Sequence, residues 1–457
     1  MECKKMKRNS VLILMCLVSQ FAVPILASGQ HAKTNTRLFW VDQESQQLKW
    51  GDVVTTDKWA LKTGTVDAFP KTDPATSKIG PLFDLNGLVI AAMSGKQNDE
   101  KQNTWIAMDS GVFQQGHGNH FHWKYTGRPS VTKTIAEKQQ GENVRIAANG
   151  QQLYLLGEKG FTAEFLGNLR IKNAVNSTKR FFPVTTWPVG QLEIVDNVVG
   201  YAAWKDKEGE RAGQVDVIKM ADLSKPAYSF KLPSGDVTST VVNSAKVFFA
   251  HEGAVSWVSP DRSASLGDER VKVNPVVEPT NQPFKPESPS PLINERNWVV
   301  FTAGTGEKSK LCMIDAASVN PVAYSLPIKP NDGLRLSAPT TVLSLGKRFA
   351  FIFQERIQAN SDAKEQLTIV ELDPNRDMRF DDARIAITIP IGPSAIKNGT
   401  GNHQVCFDDG GRFAVFTNPG DGTLSVMSMH DLKLRVTFKV GGMPSEIIAV
   451  GAPEHFH

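Results

Sequence analysis

Short β-type segments separated by turn residues recur along the whole chain, and this repeat constrains the fold more than any other feature. Apolar and polar residues alternate within the segments, and no long window shows the periodicity of a helix. The last repeat is the clearest, with segments at Gln404–Asp408, Arg412–Asn418, Thr423–Asp431 and Leu434–Val440. A unit of four short strands that recurs about every 40 to 50 residues is typical of a β-propeller, in which each unit forms one blade.

The repeat predicts an all-β fold, a seven-bladed β-propeller. Six units are complete, and the first of them ends with Phe121–Tyr125 as its fourth strand. The seventh blade is expected to combine Glu446–Val450, as innermost strand, with Arg37–Val53. Pairing of the N- and C-terminal strands would close the ring and remove open sheet edges. An array of β-sandwiches is the competing fold, and the regular spacing disfavours it.

The first residues predict a cleaved signal peptide. Four basic residues precede an apolar run from Val11 to Ala27, and cleavage is expected between Ala27 and Gly29. We therefore divide the chain into a signal peptide, residues 1–29, and a single propeller domain, residues 30–457. No later apolar run is long enough to cross a bilayer, so a periplasmic or secreted protein is expected.

Charge and cysteine content narrow the function further. The formal net charge is +4 for the whole chain, and removal of the signal peptide brings it to about +1. No basic tract suggests a nucleic-acid partner. Cys312 and Cys406 are the cysteines of the mature chain, and the sequence leaves open whether they pair or are two buried small side chains.

Three of the nine histidines, His117, His120 and His122, fall within six consecutive positions. In an extended segment His120 and His122 lie on the same face, because alternate residues of a strand do. Gly116 and Gly118 would let the chain bring His117 toward them. Three neutral imidazoles form a natural ligand set for Zn²⁺ with a fourth position open. A solvated histidine-rich loop that takes up metal adventitiously is the alternative.

Other residues are candidates for the same site. His403 precedes the innermost strand of the last repeat and could supply a further ligand from across the ring, or it could be a hydrogen-bonding core residue. His455 and His457 are a possible secondary metal pair, or part of a disordered tail. Asp109 could orient a ligand or cap a turn. His251 is interpreted as structural. Imidazole sites also accept copper and nickel, so the native metal stays open.

Two stretches resemble known families. Asp409–Asn418, together with the segments 421–426 and 440–444, resembles the YVTN-type propeller repeat. The segment 107–112 running into 117–122 resembles the histidine motif of periplasmic zinc chaperones of the AztD type. These are exported propellers that hand zinc to the solute-binding protein of a zinc ABC transporter. In that family the motif runs Asp-His-Gly-Asp-His, and here Gly116 and Asn119 replace the two aspartates.

The resemblance implies a zinc metallochaperone whose partner is a zinc-transport solute-binding protein, and we expect a monomer. The chain has no Gly-x-Ser-x-Gly elbow, Cys-x-x-Cys pair or phosphate-binding glycine loop, so no enzymatic activity is expected. A propeller that serves as a protein-protein interaction platform, with incidental histidines, is the second hypothesis. A cofactor-dependent oxidoreductase is a weaker third.

Overall fold

The computed structural model describes residues 33–97, 100–118, 120–136, 143–149, 152–157, 160–171, 180–183, 189–222, 225–358, 360–394 and 402–453. The predicted signal peptide and the pair His455 and His457 lie outside these ranges. Within them the protein is all-β. Its strands form eight antiparallel sheets of four or five strands and one separate hairpin.

The first four sheets follow the chain from its N-terminal end. The first contains β1 (Lys33–Asp42), β2 (Gln47–Thr55) and β3 (Trp59–Thr65). The second contains β4 (Lys78–Leu85), β5 (Leu88–Gln97), β6 (Glu100–Asp109) and, after the hairpin β7 (Val112–His117) and β8 (His120–Tyr125), β9 (Ser130–Ala136). The third contains β10 (Asn143–Asn149), β11 (Gln152–Gly157), β12 (Gly160–Phe165) and, after helix α1 (Leu166–Arg170), β13 (Arg180–Pro183). The fourth contains β14 (Val189–Val195), β15 (Val199–Trp204), β16 (Gln214–Lys219) and β17 (Tyr228–Lys231).

The remaining sheets repeat the same order. The fifth contains β18 (Ser239–Asn243), β19 (Lys246–His251), β20 (Ala254–Val258) and β21 (Asn274–Pro275). The sixth contains β22 (Ile293–Glu295), β23 (Trp298–Ala303), β24 (Lys310–Asp315) and β25 (Val322–Pro327). The seventh contains β26 (Leu334–Leu336), β27 (Thr340–Ser344), β28 (Lys347–Arg356), β29 (Gln366–Glu371) and β30 (Arg384–Pro390). The eighth contains β31 (Val405–Phe407), β32 (Phe413–Asn418), β33 (Thr423–Ser428) and β34 (Lys433–Lys439). Short 3₁₀ turns occur at Asp268–Arg270, Gly306–Lys308 and Pro419–Asp421.

The last strand, β35 (Pro444–Val450), joins the first sheet by pairing antiparallel with β1. Arg37 lies opposite Val450 in this ladder, and Asp42 lies opposite Pro444. The N- and C-terminal strands of the described chain are therefore neighbours in one sheet.

Eight clusters of buried apolar side chains lie between consecutive sheets, and the eighth sheet packs against the first. Strand β1 shows how the sequence achieves this. Alternate residues point to opposite faces, so Phe39 packs toward the second sheet while Leu38 and Trp40 pack toward the eighth. Both faces of the sheet are covered, and the polar side chains remain at the strand ends.

Two details of the sequence prediction are corrected. The described residues contain eight sheets of at least four strands, one more than the seven predicted blades. Strand β21 has two residues in a proline-rich segment, which is too short for alternation to reveal the fifth sheet as a complete unit. Phe121–Tyr125 is not the fourth strand of the second sheet. Strand β9 takes that place, and β8 pairs only with β7.

Cys312 and Cys406 are both free and buried, in different interfaces between sheets. The two cysteines therefore do not form a disulfide in this structure. Among the described residues, no helix is both long and apolar enough to span a bilayer.

Candidate metal site

The histidine-rich segment forms the hairpin β7–β8, which leaves the second sheet between β6 and β9. Gly118 lies in its turn with φ +62°, in the left-handed region that glycine adopts without strain. The ladder pairs Val112 with Tyr125 at the base and His117 with His120 at the tip. The three histidines are thus brought onto one compact element of two strands.

The register places all three histidine positions on one face of the hairpin. His117 lies opposite His120, and Gln115 lies opposite His122. Alternate residues share a face, and directly opposite residues have Cβ atoms about 4.5–5.5 Å apart. The side chains of His117 and His120 fall outside those described, and His122 is half-buried. The backbone therefore gathers the three positions without any fold-back of the chain at His117.

The other face of the hairpin packs toward the body of the protein. Trp123 on this face is buried, whereas Phe121 is 59% exposed. A cavity of about 460 Å³ lies beneath it and is lined by Asn86, Gln114, Phe121, Trp123, Asp409, Gly410 and Ala452. By strand alternation, the histidine face is the one turned away from this cavity.

The base of the hairpin is fixed to the first sheet. The Tyr125 hydroxyl donates a hydrogen bond of 2.8 Å to the Ala452 carbonyl. The Arg37 guanidinium donates to the carbonyls of Ser110 and Gly127, on either side of the hairpin, at 2.6 and 2.8 Å. The hairpin consequently projects from a rigid platform that includes the paired terminal strands.

Three carboxyl groups lie near this platform, of which Asp408 is buried, Asp84 is half-buried and Asp409 is exposed at the surface. Burial raises the pKa of Asp84 to about 7, and the charge of Asp409 adds to the effect. Burial likewise raises the pKa of Asp408 to about 6, although the N–H groups of Gly410, Arg412 and Phe413 counteract it. Burial also raises the pKa of Asp409, which accepts a hydrogen bond from Gly451 N. The sequence analysis did not identify these three aspartates as candidate site residues. The Asp-Asp-Gly-Gly turn of the last repeat could have indicated Asp408 and Asp409.

His403 has a different environment from the hairpin. Its side chain is fully buried, and Nδ1 lies 2.6 Å from the Thr417 carbonyl oxygen. Nε2 lies 3.4 Å from a Glu365 oxygen, and the backbone N–H donates to Glu355 at 2.7 Å. The ring also stacks on Phe353, with centroids 5.0 Å apart.

His403 and the hairpin cavity lie at opposite ends of β31. His403 precedes the strand, and the turn that contains Asp409 follows it. Asp408 lies five positions after His403, a span of about 16 Å in extended chain. His403 lines another cavity, of about 560 Å³, with Arg335 and Glu355. Its predicted role as a fourth ligand remains a prediction, and no contact among the described residues links it to the hairpin.

The remaining candidates have simple local roles or cannot be placed. Asp109 is exposed and caps its turn by accepting a 2.9 Å hydrogen bond from Gly111 N. His251 is buried between the hydroxyls of Ser234 and Ser256, and burial lowers its pKa to about 4. His455 and His457 lie outside the described residues.

No described group of three or more His, Cys, Asp or Glu side chains is already arranged around a metal position. The side chains of His117 and His120 lie outside the described ones. The backbone places three histidine positions on one face of the hairpin. Imidazole nitrogen is a preferred ligand of Zn²⁺. The hairpin therefore fits zinc by the chemistry of its donors.

Similarity to solved structures is clear in fold and weak in sequence. AztD from Citrobacter koseri superposes with a TM-score of 0.58 at 13% identity, over 93% of this chain and 100% of that chain. The structure of apo AztD from the same organism gives a TM-score of 0.57 at 13% identity, with the same coverage of both chains. The β-propeller domain of Cps50 (Swd1) from Myceliophteria thermophila gives a TM-score of 0.41 at 12% identity, over 66% of this chain and 88% of that chain. No protein-family model and no curated protein match the chain.

Proposed function

We propose that this protein is an exported zinc-binding β-propeller that takes up Zn²⁺ on the hairpin β7–β8 and passes it to a partner. The observation that carries the proposal is the register of the hairpin, which puts positions 117, 120 and 122 on one face. Three imidazoles on one side of an ion leave its opposite side open to a ligand from another molecule. This is the arrangement that transfer of a metal between proteins requires.

The scaffold in this proposal is a closed ring of eight blades. Eight apolar interfaces join eight sheets, including one between the last sheet and the first. The pairing of β1 with β35 supports closure at the same place. A closed ring has no open sheet edge, so the hairpin would be held on a scaffold that resists aggregation and distortion.

The hairpin position also favours exchange of the ion. Gln115, on the histidine face, is exposed, whereas the buried side chains of the hairpin, Val112 and Trp123, are on the opposite face. An ion on the exposed face is accessible to a competing donor set. A zinc-transport solute-binding protein, the partner that the AztD resemblance implies, is the acceptor we propose. The likeness to AztD at 13% identity supports the fold alone.

Competition with a chromogenic zinc chelator tests the proposal on the full mature chain. The unmodified protein is expected to withdraw one Zn²⁺ from the chelator. The triple variant His117→Ala, His120→Ala, His122→Ala is expected to lose this binding, with at least a tenfold lower affinity. His430→Ala, which removes an exposed histidine elsewhere, is the matched control. Unchanged zinc stoichiometry and affinity in the triple variant would refute the site.

An interaction platform without metal remains the second candidate function, and one observation favours it. Phe113 and Phe121 are 47% and 59% exposed, and the register places them on opposite faces of the hairpin, so each face presents one exposed aromatic side chain to a partner. This candidate predicts that a purified solute-binding partner binds equally well with and without a chelator. Loss of that binding on zinc removal would favour the metallochaperone.

A further inference from the structure

The cavity that His403 lines is at the other end of β31 from the hairpin β7–β8. Strands of three sheets begin or end at this cavity. Strand β23 of the sixth sheet ends at it with Thr302 and Ala303, and β27 of the seventh sheet begins at it with Thr340. Gln404, just before β31 of the eighth sheet, also lines it. Its volume of about 560 Å³ is within the range of small-molecule sites, about 300–1,000 Å³. The cavity is therefore a candidate binding site separate from the hairpin.

A bulge in the seventh sheet forms part of the cavity wall. Strands β26 and β27 both pair with β28, one after the other. The three residues between them, 337–339, lie opposite only two residues of β28, so the chain leaves the ladder there. Ser337 Oγ accepts a 3.0 Å hydrogen bond from Phe353 N, and Ala338 and Pro339 line the cavity. Bulges of this kind are over-represented next to active sites, because they re-aim the neighbouring side chains.

Beside the bulge, β26 and β28 place two opposite charges next to each other in the cavity wall. Arg335 lies directly opposite Glu355 in the ladder, and both residues line the cavity. The Cβ atoms of such a pair are about 4.5–5.5 Å apart. The Arg335 side chain is exposed, and within the described part of the chain its guanidinium forms no ion pair and no hydrogen bond. Its positive charge is therefore available to a bound molecule.

The carboxyl group of Glu355 is the buried member of the two. The residue is only 4% exposed. One oxygen, Oε1, accepts a 2.7 Å hydrogen bond from His403 N. The other oxygen, Oε2, has no hydrogen-bond partner among the described residues. A carboxylate that is withdrawn from water is costly unless a cation or a hydrogen-bond donor meets it, so this oxygen favours a positively charged donor from a ligand.

Neutral polar side chains provide further hydrogen-bonding groups in the cavity wall. Those that form no hydrogen bond within the described ranges are Ser288, Thr305, Thr340, Asn402 and Gln404. Hydroxyl and amide groups both donate and accept, so they suit the polar atoms of a small ligand. The His403 ring is not available in this way, because both of its nitrogens face the oxygens of Thr417 and Glu365.

We propose that this cavity binds a free α-amino acid, with the ligand carboxylate on Arg335 and the ligand ammonium group on Glu355. A guanidinium binds a carboxylate through two parallel hydrogen bonds, and an ammonium group is a strong donor to a carboxylate oxygen. An α-amino acid carries both charged groups on one carbon atom, which matches two charged side chains at directly opposite positions of a ladder. A ligand with a single charge would leave Arg335 or Glu355 uncompensated.

Isothermal titration of the full mature chain with each of the standard amino acids tests the proposal. A chelator in the buffer keeps zinc from contributing to the binding. We expect at least one amino acid to bind one-to-one with a Kd below about 1 mM. Its hydroxy-acid analogue, which has a hydroxyl in place of the ammonium group, and its decarboxylated amine should each bind at least tenfold more weakly. Absence of binding by every amino acid, or equal binding by the hydroxy acid, would overturn the proposal.

Two variants test whether the ligand occupies this cavity. Arg335→Gln removes an exposed charge, and Glu355→Gln removes the buried charge but keeps an acceptor for His403 N. Each is expected to lower the affinity at least tenfold. Arg376→Gln removes an exposed arginine from another loop of the seventh sheet and is the matched control, which should bind as the unmodified chain does.

Thermal melts without ligand show whether each variant folds. A folded Arg335→Gln or Glu355→Gln chain that binds the amino acid as tightly as the unmodified chain would contradict the assignment. The triple variant of the hairpin histidines is expected to keep its affinity for the amino acid, because none of the residues that line the cavity belongs to the hairpin. A failure of the zinc site and a failure of the amino-acid site are therefore distinguishable.

Discussion

His403 and the hairpin histidines show how environment separates residues of one type. Both ring nitrogens of His403 face oxygen acceptors, and its side chain is fully buried. The positions 117, 120 and 122 lie instead on a two-stranded element whose histidine face is turned away from the body. A structural role suits the first environment, and an exchangeable metal suits the second.

Replacement of His403 by glutamine should therefore lower stability without affecting zinc. The change disturbs buried hydrogen bonds to Thr417 and Glu365, and a loss of about 1–3 kcal/mol in the free energy of unfolding is expected. Urea unfolding and chelator competition measure the two effects, with His430→Gln as control. A tenfold loss of zinc affinity in His403→Gln would instead support its predicted role as a fourth ligand.

Asp84 should make the stability depend on pH. Its pKa is raised to about 7, so the folded state binds the proton more tightly than the unfolded chain. The stabilisation is complete below about pH 4 and is lost as the pH rises through about 7. Asp84→Asn keeps an acceptor for Gly87 N and removes the buried charge. We expect it to raise the melting temperature by about 1–3 °C at pH 8 and by less at pH 5.

Thermal melts at the two pH values check this expectation. A gain of the same size at pH 5 and pH 8, or a loss at pH 8, would contradict it. Asp332→Asn is a suitable control, because this aspartate is exposed.

Among the single elements, the hairpin β7–β8 determines whether the three histidines lie on one face. Its register depends on a two-residue turn in which Gly118 has φ +62°. A shift of β7 by one residue relative to β8 would place His117 on the face opposite to His120 and His122, because side chains alternate along a strand. The geometry of the site is thus set by backbone conformation as well as by the histidines.

Gly118→Val should weaken zinc binding without removing any donor. A β-branched residue in the left-handed region is strained by about 1–2 kcal/mol, although no atom crowds the added Cβ. We expect a several-fold lower zinc affinity by chelator competition. Gly116→Ala is the control, because its Cβ would meet Phe121 at an ordinary 3.8 Å. Equal affinities of the two variants would show that the turn does not set the site.

The sequence indicated which segments of the second sheet are extended but not how they pair. The alternation in Phe121–Tyr125 predicted a strand correctly, yet that strand pairs with β7 and not with β6. Strand β9 was missed because its mixture of threonine, lysine and small apolar residues lies largely half-buried. Partner choice depends on contacts distant in sequence, such as Tyr125 with Ala452, which local patterns do not encode.

For the molecule as a whole, the regular repeat predicted the all-β class and the adjacency of the terminal strands, whereas the described residues contain eight sheets of at least four strands where seven blades were predicted. The fourth strand of the fifth sheet, β21 at Asn274–Pro275, has two residues and therefore no alternation that a sequence pattern could detect. The metal-site ligands and the zinc partner stay predictions, since the described side chains do not include those of His117 and His120. The grouping of Asp84, Asp408 and Asp409 near the hairpin became apparent only in three dimensions.

The proposed closure of the ring predicts that β35 is essential for folding. Removal of residues 444–457 would leave β1 as an open edge and uncover the apolar interface between the first and eighth sheets. This truncated chain is expected to aggregate or to lose cooperative unfolding in circular dichroism melts. Removal of residues 454–457 alone should leave folding intact, and it also tests the predicted pair His455 and His457. A soluble, cooperatively folded chain without β35 would contradict closure.

If three imidazoles of the hairpin β7–β8 hold the zinc ion, X-ray absorption at the zinc edge of the loaded full chain should reveal them. We expect nitrogen neighbours at about 2.0–2.1 Å with the outer-shell scattering of imidazole rings, and no sulfur neighbour. That signature should disappear in the triple histidine variant. A spectrum that lacks imidazole scattering, or that is identical in the triple variant, would contradict the claim.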